Sequence, residues 1–137
     1  MRVLFDTNVL LSAFLTEGLC SKLFARAKKK EFELYICPFV LNEFKGKLLK
    51  KFSATAVEIE EALSLIEDIS IPINPVTDHI IVKGVCRDKD DDNVLACALA
   101  AKANYLVTGD PDLLTIGTYR EIAIIKPREF ELLFENV

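Results

Sequence analysis

The chain has 137 residues, 51% hydrophobic and 28% charged, and its 17 basic against 21 acidic side chains leave a formal charge of −4. That length suits one core able to bury ~70% of the unfolded surface without a metal or disulfide, and the composition excludes disordered, collagen-like and low-complexity classes. With a pI near 5.1 the protein is no blanket polycation, so any nucleic-acid contact must come from a local basic patch. The most sustained apolar run, Val94 to Ala101, is far short of the ~20 residues a membrane-crossing helix needs. The N-terminal MRVLFDTNVLLSAFL looks superficially like a secretory leader, but Asp6 and Asn8 interrupt it and no small-residue cleavage site follows. A cytoplasmic protein away from membranes is expected.

In chain order, Val3-Leu4-Phe5 is apolar on consecutive positions and stops at Asp6, the pattern of a strand covered on both faces. Cys20, Leu23, Phe24 and Ala27 share one helical face. Leu34-Tyr35-Ile36 reads as a second strand. Leu41, Phe44, Leu48 and Phe52 then form a helical stripe, with Pro38 placed for a first turn. Ile59, Ala62, Leu63 and Ile66 predict another helix, and Ile69 to Ile73 a third strand. Leu95, Ala98, Leu99 and Lys102 predict a helix feeding a strand at Tyr105-Leu106-Val107. Ile122 to Ile125 and a short helix around Pro127 to Phe134 complete the chain. Strands alternating with helices imply an α/β fold, a three-layer α/β/α sandwich around a central, mostly parallel five-stranded sheet. No linker, repeat or composition break appears, so residues 1–137 are expected to form a single domain.

The four cysteines, Cys20, Cys37, Cys86 and Cys97, form no CxxC pair, and His79 is the one histidine. Zinc chemistry lacks its spacing, and free, mostly buried thiols are expected. The carboxylates are more informative. In an open parallel sheet, function gathers outside the carboxyl ends of the strands. Asp6 ends one strand, and Thr108-Gly109-Asp110 follows another. Asp88, Asp90, Asp91 and Asp92 precede the crossover helix, which begins at that same edge, so Asp6, Asp92 and Asp110 can converge. Converging carboxylates repel one another unless a cation joins them, and hard oxygen donors suit Mg²⁺ or Mn²⁺. Such ions support phosphodiester hydrolysis. Glu43 is a further candidate from the helix after the second strand. Ordinary roles compete: Asp90 and Asp91 as helix-end charges, Asp110 in a Gly109–Pro111 turn, and Glu43 paired with Lys47.

FDTNVLLSAF, VLNEF, DDDNVLACALAAKANYLVTGD and DLL together resemble the PIN-domain ribonucleases, in particular a bacterial and archaeal branch of toxin components related to the VapC toxins. The likeness covers essentially the whole chain. It implies a five-stranded parallel sheet flanked by helices, Mg²⁺- or Mn²⁺-dependent endoribonuclease activity, a cognate antitoxin and a homodimer. Carried over by position, the acids are Asp6, Glu43, Asp92 and Asp110, with Asn8 and Thr108 supporting them and Asp112 auxiliary. One departure is that related sequences place Ser or Thr before the Glu43 helix, where this chain has Cys37, a poor helix cap.

An RNA substrate also needs phosphate contacts. Lys28-Lys29-Lys30 and Lys45, Lys47, Lys50 and Lys51 are the local basic clusters, and Glu43, Lys47, Lys50 and Lys51 share a broad helical face. Either cluster could equally be a solvated face. Phe39 and Tyr119 are stacking candidates, though core burial suits them as well. His79 is expected in a loop. Two other readings remain open: a receiver-type phosphotransfer domain, for which Lys126 is the lysine candidate, and a non-catalytic module that binds RNA or protein.

Overall fold

The structure, a computed structural model, describes residues 1–135. The chain runs β1 (Arg2–Phe5), α1 (Thr7–Leu15), α2 (Leu19–Lys28), β2 (Glu33–Ile36), α3 (Pro38–Lys51), α4 (Ala56–Ile69) and β3 (Ile71–Pro72). It continues through α5 (Lys89–Ala100), β4 (Tyr105–Val107), α6 (Pro111–Ile116), β5 (Thr118–Tyr119), β6 (Ile122–Ile125) and α7 (Pro127–Glu135). The sheet order is β3-β2-β1-β4-β6-β5, parallel throughout except for the antiparallel β5–β6 pair. The α/β architecture with a mostly parallel sheet is as the sequence predicts. No helix among the described residues is long and apolar enough to cross a membrane.

β1 lies at the centre because Val3, Leu4 and Phe5 have no exposed surface at all. Burial on both faces is what consecutive apolar positions demand of a parallel strand. The chain leaves β1 to one side for β2 and returns to its other side for β4, so the direction of winding reverses between β1 and β4. Their carboxyl ends therefore flank the crevice of the sheet. Behind them, Phe5, Phe32 and Phe130 stack edge-on or tilted at 5.0–6.4 Å between centroids, which seats α7 against the core.

Three expectations are corrected. The sheet has six strands, not five. The added strand, β5, joins β6 through the Arg120-Glu121 turn, which lacks the Asn-Gly or Gly signal that marks short hairpins; Arg120 itself adopts φ 54°. The strand expected from Ile69 to Ile73 is present but shorter: α4 ends at Ile69, and β3 keeps only Ile71–Pro72 at the sheet edge, where proline is tolerated. Helices α1 and α6, absent from the periodicity reading, each start at an aspartate N-cap, Asp6 and Asp110. Finally, the cysteines are not all free. Cys37 and Cys97 are joined in a disulfide with Cα atoms 6.1 Å apart across 60 residues of sequence, while Cys20 and Cys86 stay free. That pairing arises because the end of β2 packs beside α5, a tertiary proximity no local spacing announces. His79 lies in an exposed turn, as expected.

Candidate metal centre

At the carboxyl edge of β1 and β4 a cavity of about 250 Å³ is lined by Asp6, Thr7, Asn8, Glu43, Lys47, Asp88, Asp90, Asp91, Val94, Asp110 and Leu113. Three helices begin there, each with an aspartate at its N-cap: Asp6 for α1, Asp88 for α5 and Asp110 for α6. The free N–H groups and positive dipole ends of these helices make the edge tolerant of negative charge.

Asp6 is buried, with one carboxylate oxygen accepting from Val9 N at 3.0 Å and the other from the Thr108 hydroxyl. The same hydroxyl accepts from Asp110 N at 3.0 Å, so Thr108, itself fully buried, ties the end of β1 to the start of α6. Burial pushes the Asp6 carboxyl above its ordinary range, against the pull of the Thr108 and Val9 hydrogen bonds, and Asp110 pushes in the same direction as burial. Glu43 reaches in from α3, where its Oε1 accepts from the Thr7 hydroxyl at 2.7 Å. Asp110 anchors its own helix by accepting from Asp112 N at 3.1 Å.

The structure does not bring Asp92 to this cavity. Its two oxygens accept from Cys86 N at 2.8 Å and Gly84 N at 2.9 Å, clamping the segment before α5. Burial alone would raise its pKa, but the bonds from Cys86, Gly84 and Val85 outweigh burial and hold the carboxyl below its usual range. Gly84 adopts φ +72°, a conformation that a side chain would strain, so this clamp is built around a glycine. Asp91 takes the place expected of Asp92. On a helix, positions four and seven residues apart share a face. Leu95 and Ala98, both wholly buried, run back along that face to Asp91 rather than to its neighbour. The Leu95–Ala98 stripe is present in the sequence, and Asp91 lies nearer to it on the helix than Asp92 does.

Asp91, Asp110 and Asp112 each place a carboxylate oxygen within 4.8 Å of the others. Burial, a hydrogen bond between the Asp91 and Asp110 carboxyl groups, and the charges of Asp110, Asp88 and Asp112 push Asp91 up to about 7. Asp112 also accepts from Arg87 at 2.7 Å on the exposed rim. Asn8 does not touch a carboxylate; its Oδ1 accepts from Lys47 Nζ at 3.2 Å. Lys126 does not line the cavity. A divalent cation fits this donor set. All the donors are hard carboxylate oxygens, one of them is pushed toward holding a proton by burial and by the neighbouring acids, and the separations can close around metal–oxygen bonds of ~2.0–2.6 Å.

Residues 2–112 match the PIN domain family, and the chain belongs to it. Among solved structures it is similar to VapBC2 from Rickettsia felis bound to a DNA fragment from their promoter, with 16% identity, a TM-score of 0.63, and coverage of 92% of this chain and 98% of that one. At that identity the likeness is one of fold. No curated protein matches.

Proposed function

From its place in the PIN domain family and the acids gathered at the β1–β4 edge, we propose that the chain is a metal-dependent endoribonuclease, one domain over residues 1–137, and the toxin of a toxin–antitoxin pair. The observation that carries this reading is the convergence of Asp6, Glu43, Asp91 and Asp110 on one open cavity whose acids have little local counter-charge. Asp110 and Asp91, with Asp6 and Asp112 beside them, would hold Mg²⁺ or Mn²⁺. Such an ion supplies Lewis-acid stabilisation of charge on a phosphodiester and promotes ionisation of water. Glu43, oriented by Thr7, is the carboxylate placed to accept a proton from an attacking water. Thr108 fixes Asp6 relative to Asp110. The substrate is RNA in the cytoplasm. Binding of a cognate antitoxin and pairing of two copies belong to the same reading, and the similar solved assembly is a VapBC pair.

Cleavage of a mixed, labelled RNA pool in Mn²⁺ tests this, with wild type beside Asp6→Asn, Asp91→Asn and an EDTA control. Wild type should cleave, EDTA should abolish cleavage, and each variant should lose at least a hundredfold in rate. Equal cleavage by all three proteins would sink the reading. RNA binding without cleavage, unaffected by Mn²⁺ or the variants, would instead favour a non-catalytic binding module.

A further inference from the structure

Lys47 is the sole cation among the described residues lining the cavity, against Asp6, Glu43, Asp88, Asp90, Asp91 and Asp110. Spacing of four residues on α3 offers it Glu43 as a partner. It does not take that partner. Glu43 turns to Thr7, and the Lys47 ammonium donates to the neutral Asn8 Oδ1 at 3.2 Å. None of the ion pairs among the described residues includes Lys47. Its side chain is half-buried, so its position is restrained, whereas Lys45, Lys50 and Lys51 of the same helix are exposed and stay outside the cavity. An ammonium carries three donors, and this one commits a single donor to protein. A polyanion entering an acidic cavity needs such a fixed and unneutralised charge.

We propose that Lys47 contacts a non-bridging phosphate oxygen of single-stranded nucleic acid in the cavity, and that Asn8 is the residue that positions it. This rests on the nuclease reading above and assigns part of its substrate recognition. Asn8 then acts through Lys47 and not on the carboxylates. Lys47 is also the means by which a protein of net charge −4 admits its substrate.

The test is steady-state cleavage of a labelled single-stranded oligoribonucleotide in Mn²⁺ across a salt series. Wild type is compared with Lys47→Gln, Lys47→Arg, Asn8→Ala and the Lys47→Gln/Asn8→Ala double variant. Mn²⁺ binding without RNA and thermal melting are measured on each. Lys47→Gln should raise KM about tenfold, the size of one charge-assisted hydrogen bond. It should also flatten the log–log salt dependence of kcat/KM by about 0.7, one phosphate contact on a single strand. Mn²⁺ affinity should be unchanged or tighter, since a positive charge has left its neighbourhood. Lys47→Arg should keep most of the wild-type KM. Asn8→Ala should raise KM less than Lys47→Gln and add nothing in the double variant. An unchanged KM and salt slope in a folded Lys47→Gln protein would overturn the inference and leave the nuclease reading standing. So would loss of Mn²⁺ affinity in step with activity, because Lys47 would then organise the carboxylates. A wild type that cleaves no RNA in the mixed pool defeats the nuclease reading, and the inference falls with it.

Discussion

Two groups of carboxylates among the described residues sit in opposite surroundings. Where α2 meets α7, Glu131 has no exposed surface; Arg26 forks onto both of its oxygens at 2.6 and 2.7 Å, and Lys22 adds a contact at 2.9 Å. At the β1–β4 edge, Asp6, Asp91 and Asp110 share a cavity with each other and one lysine that faces Asn8. The consequences appear in the protonation behaviour. Arg26 holds Glu131 down at about 2, whereas burial and neighbouring acids hold Asp91 up at about 7. The first cluster is complete in itself and serves to fasten a helix. The second is short of positive charge, with only Lys47 at its wall and Arg87 on its rim, and the fold sustains it with buried hydrogen bonds and three helix N-termini. Like charges gathered with so little counter-charge are surroundings that a bound cation would relieve.

The sharpest way to break the contrast is to make the first region resemble the second. Arg26→Met leaves Glu131 buried with only the largely exposed Lys22, and one-sided removal from a buried pair costs about 3–5 kcal/mol. Chemical denaturation of the variant should show a loss of that size, with α7 also losing the stacking of Arg26 on Phe134 at 4.7 Å. The wild type should carry a matching pH signature. Because the folded-state pKa of Glu131 lies below its ordinary 4.5, its contribution is fully present above that value and disappears as pH falls toward about 2. A variant as stable as wild type, with an unaltered acid limb, would show that the two carboxylate sites do not differ as described.

At the β1–β4 edge the expected effects are smaller and of opposite sign. Asp91 binds its proton more tightly in the folded chain than in the unfolded one, so stability at this site falls as pH rises from about 4 to about 7. A divalent cation would take the place of that proton. Mg²⁺ or Mn²⁺ should therefore raise Tm appreciably at pH 8 and little at pH 5, where protons compete. Asp91→Asn should gain about 1 kcal/mol in EDTA at pH 8 and lose most of its response to the ion. An ion response that survives intact in Asp91→Asn would place the cation elsewhere.

Much of this is legible in the amino-acid sequence, and the parts that are not share a cause. Consecutive apolar residues at Val3–Phe5 and Tyr105–Val107 marked the central strands, and the acids that end them lie at one edge because the strands are parallel. Whatever depended on rotation about an axis or on distant packing was harder to see. The Asp88–Asp92 run offers five positions, four of them acidic, and only the folded helix shows that Asp91 lines the cavity while Asp92 is buried against the Gly84 and Cys86 amides. Asn8 as a partner of Lys47 required α1 and α3 to meet. Cys37 is a poor cap, and α3 indeed starts on Pro38 with no side-chain cap at all; what secures that end is the bond to Cys97 on α5. That crosslink joins the helix carrying Glu43 to the helix carrying Asp91.

The last expected effect separates two neighbours on one helix. Asp92 is as negative as Asp91 and more deeply buried, yet its oxygens are satisfied by the Cys86 and Gly84 amides, so it has no need of a cation. Asp92→Asn keeps one oxygen for those two donors and turns an NH₂ toward the other, which should cost about 1–2 kcal/mol. Its Mn²⁺ affinity and the pH dependence of the ion's effect on Tm should stay those of wild type. Asp91→Asn should show the reverse, a gain in stability without the ion and a lost ion response. The crossing of those two results, more than either alone, tests whether burial or want of a counter-charge is what marks a carboxylate for function in this fold. If Asp92→Asn were the variant that lost the ion, the helix would present its other face to the cavity, and the division between satisfied and unsatisfied acids would have to be redrawn.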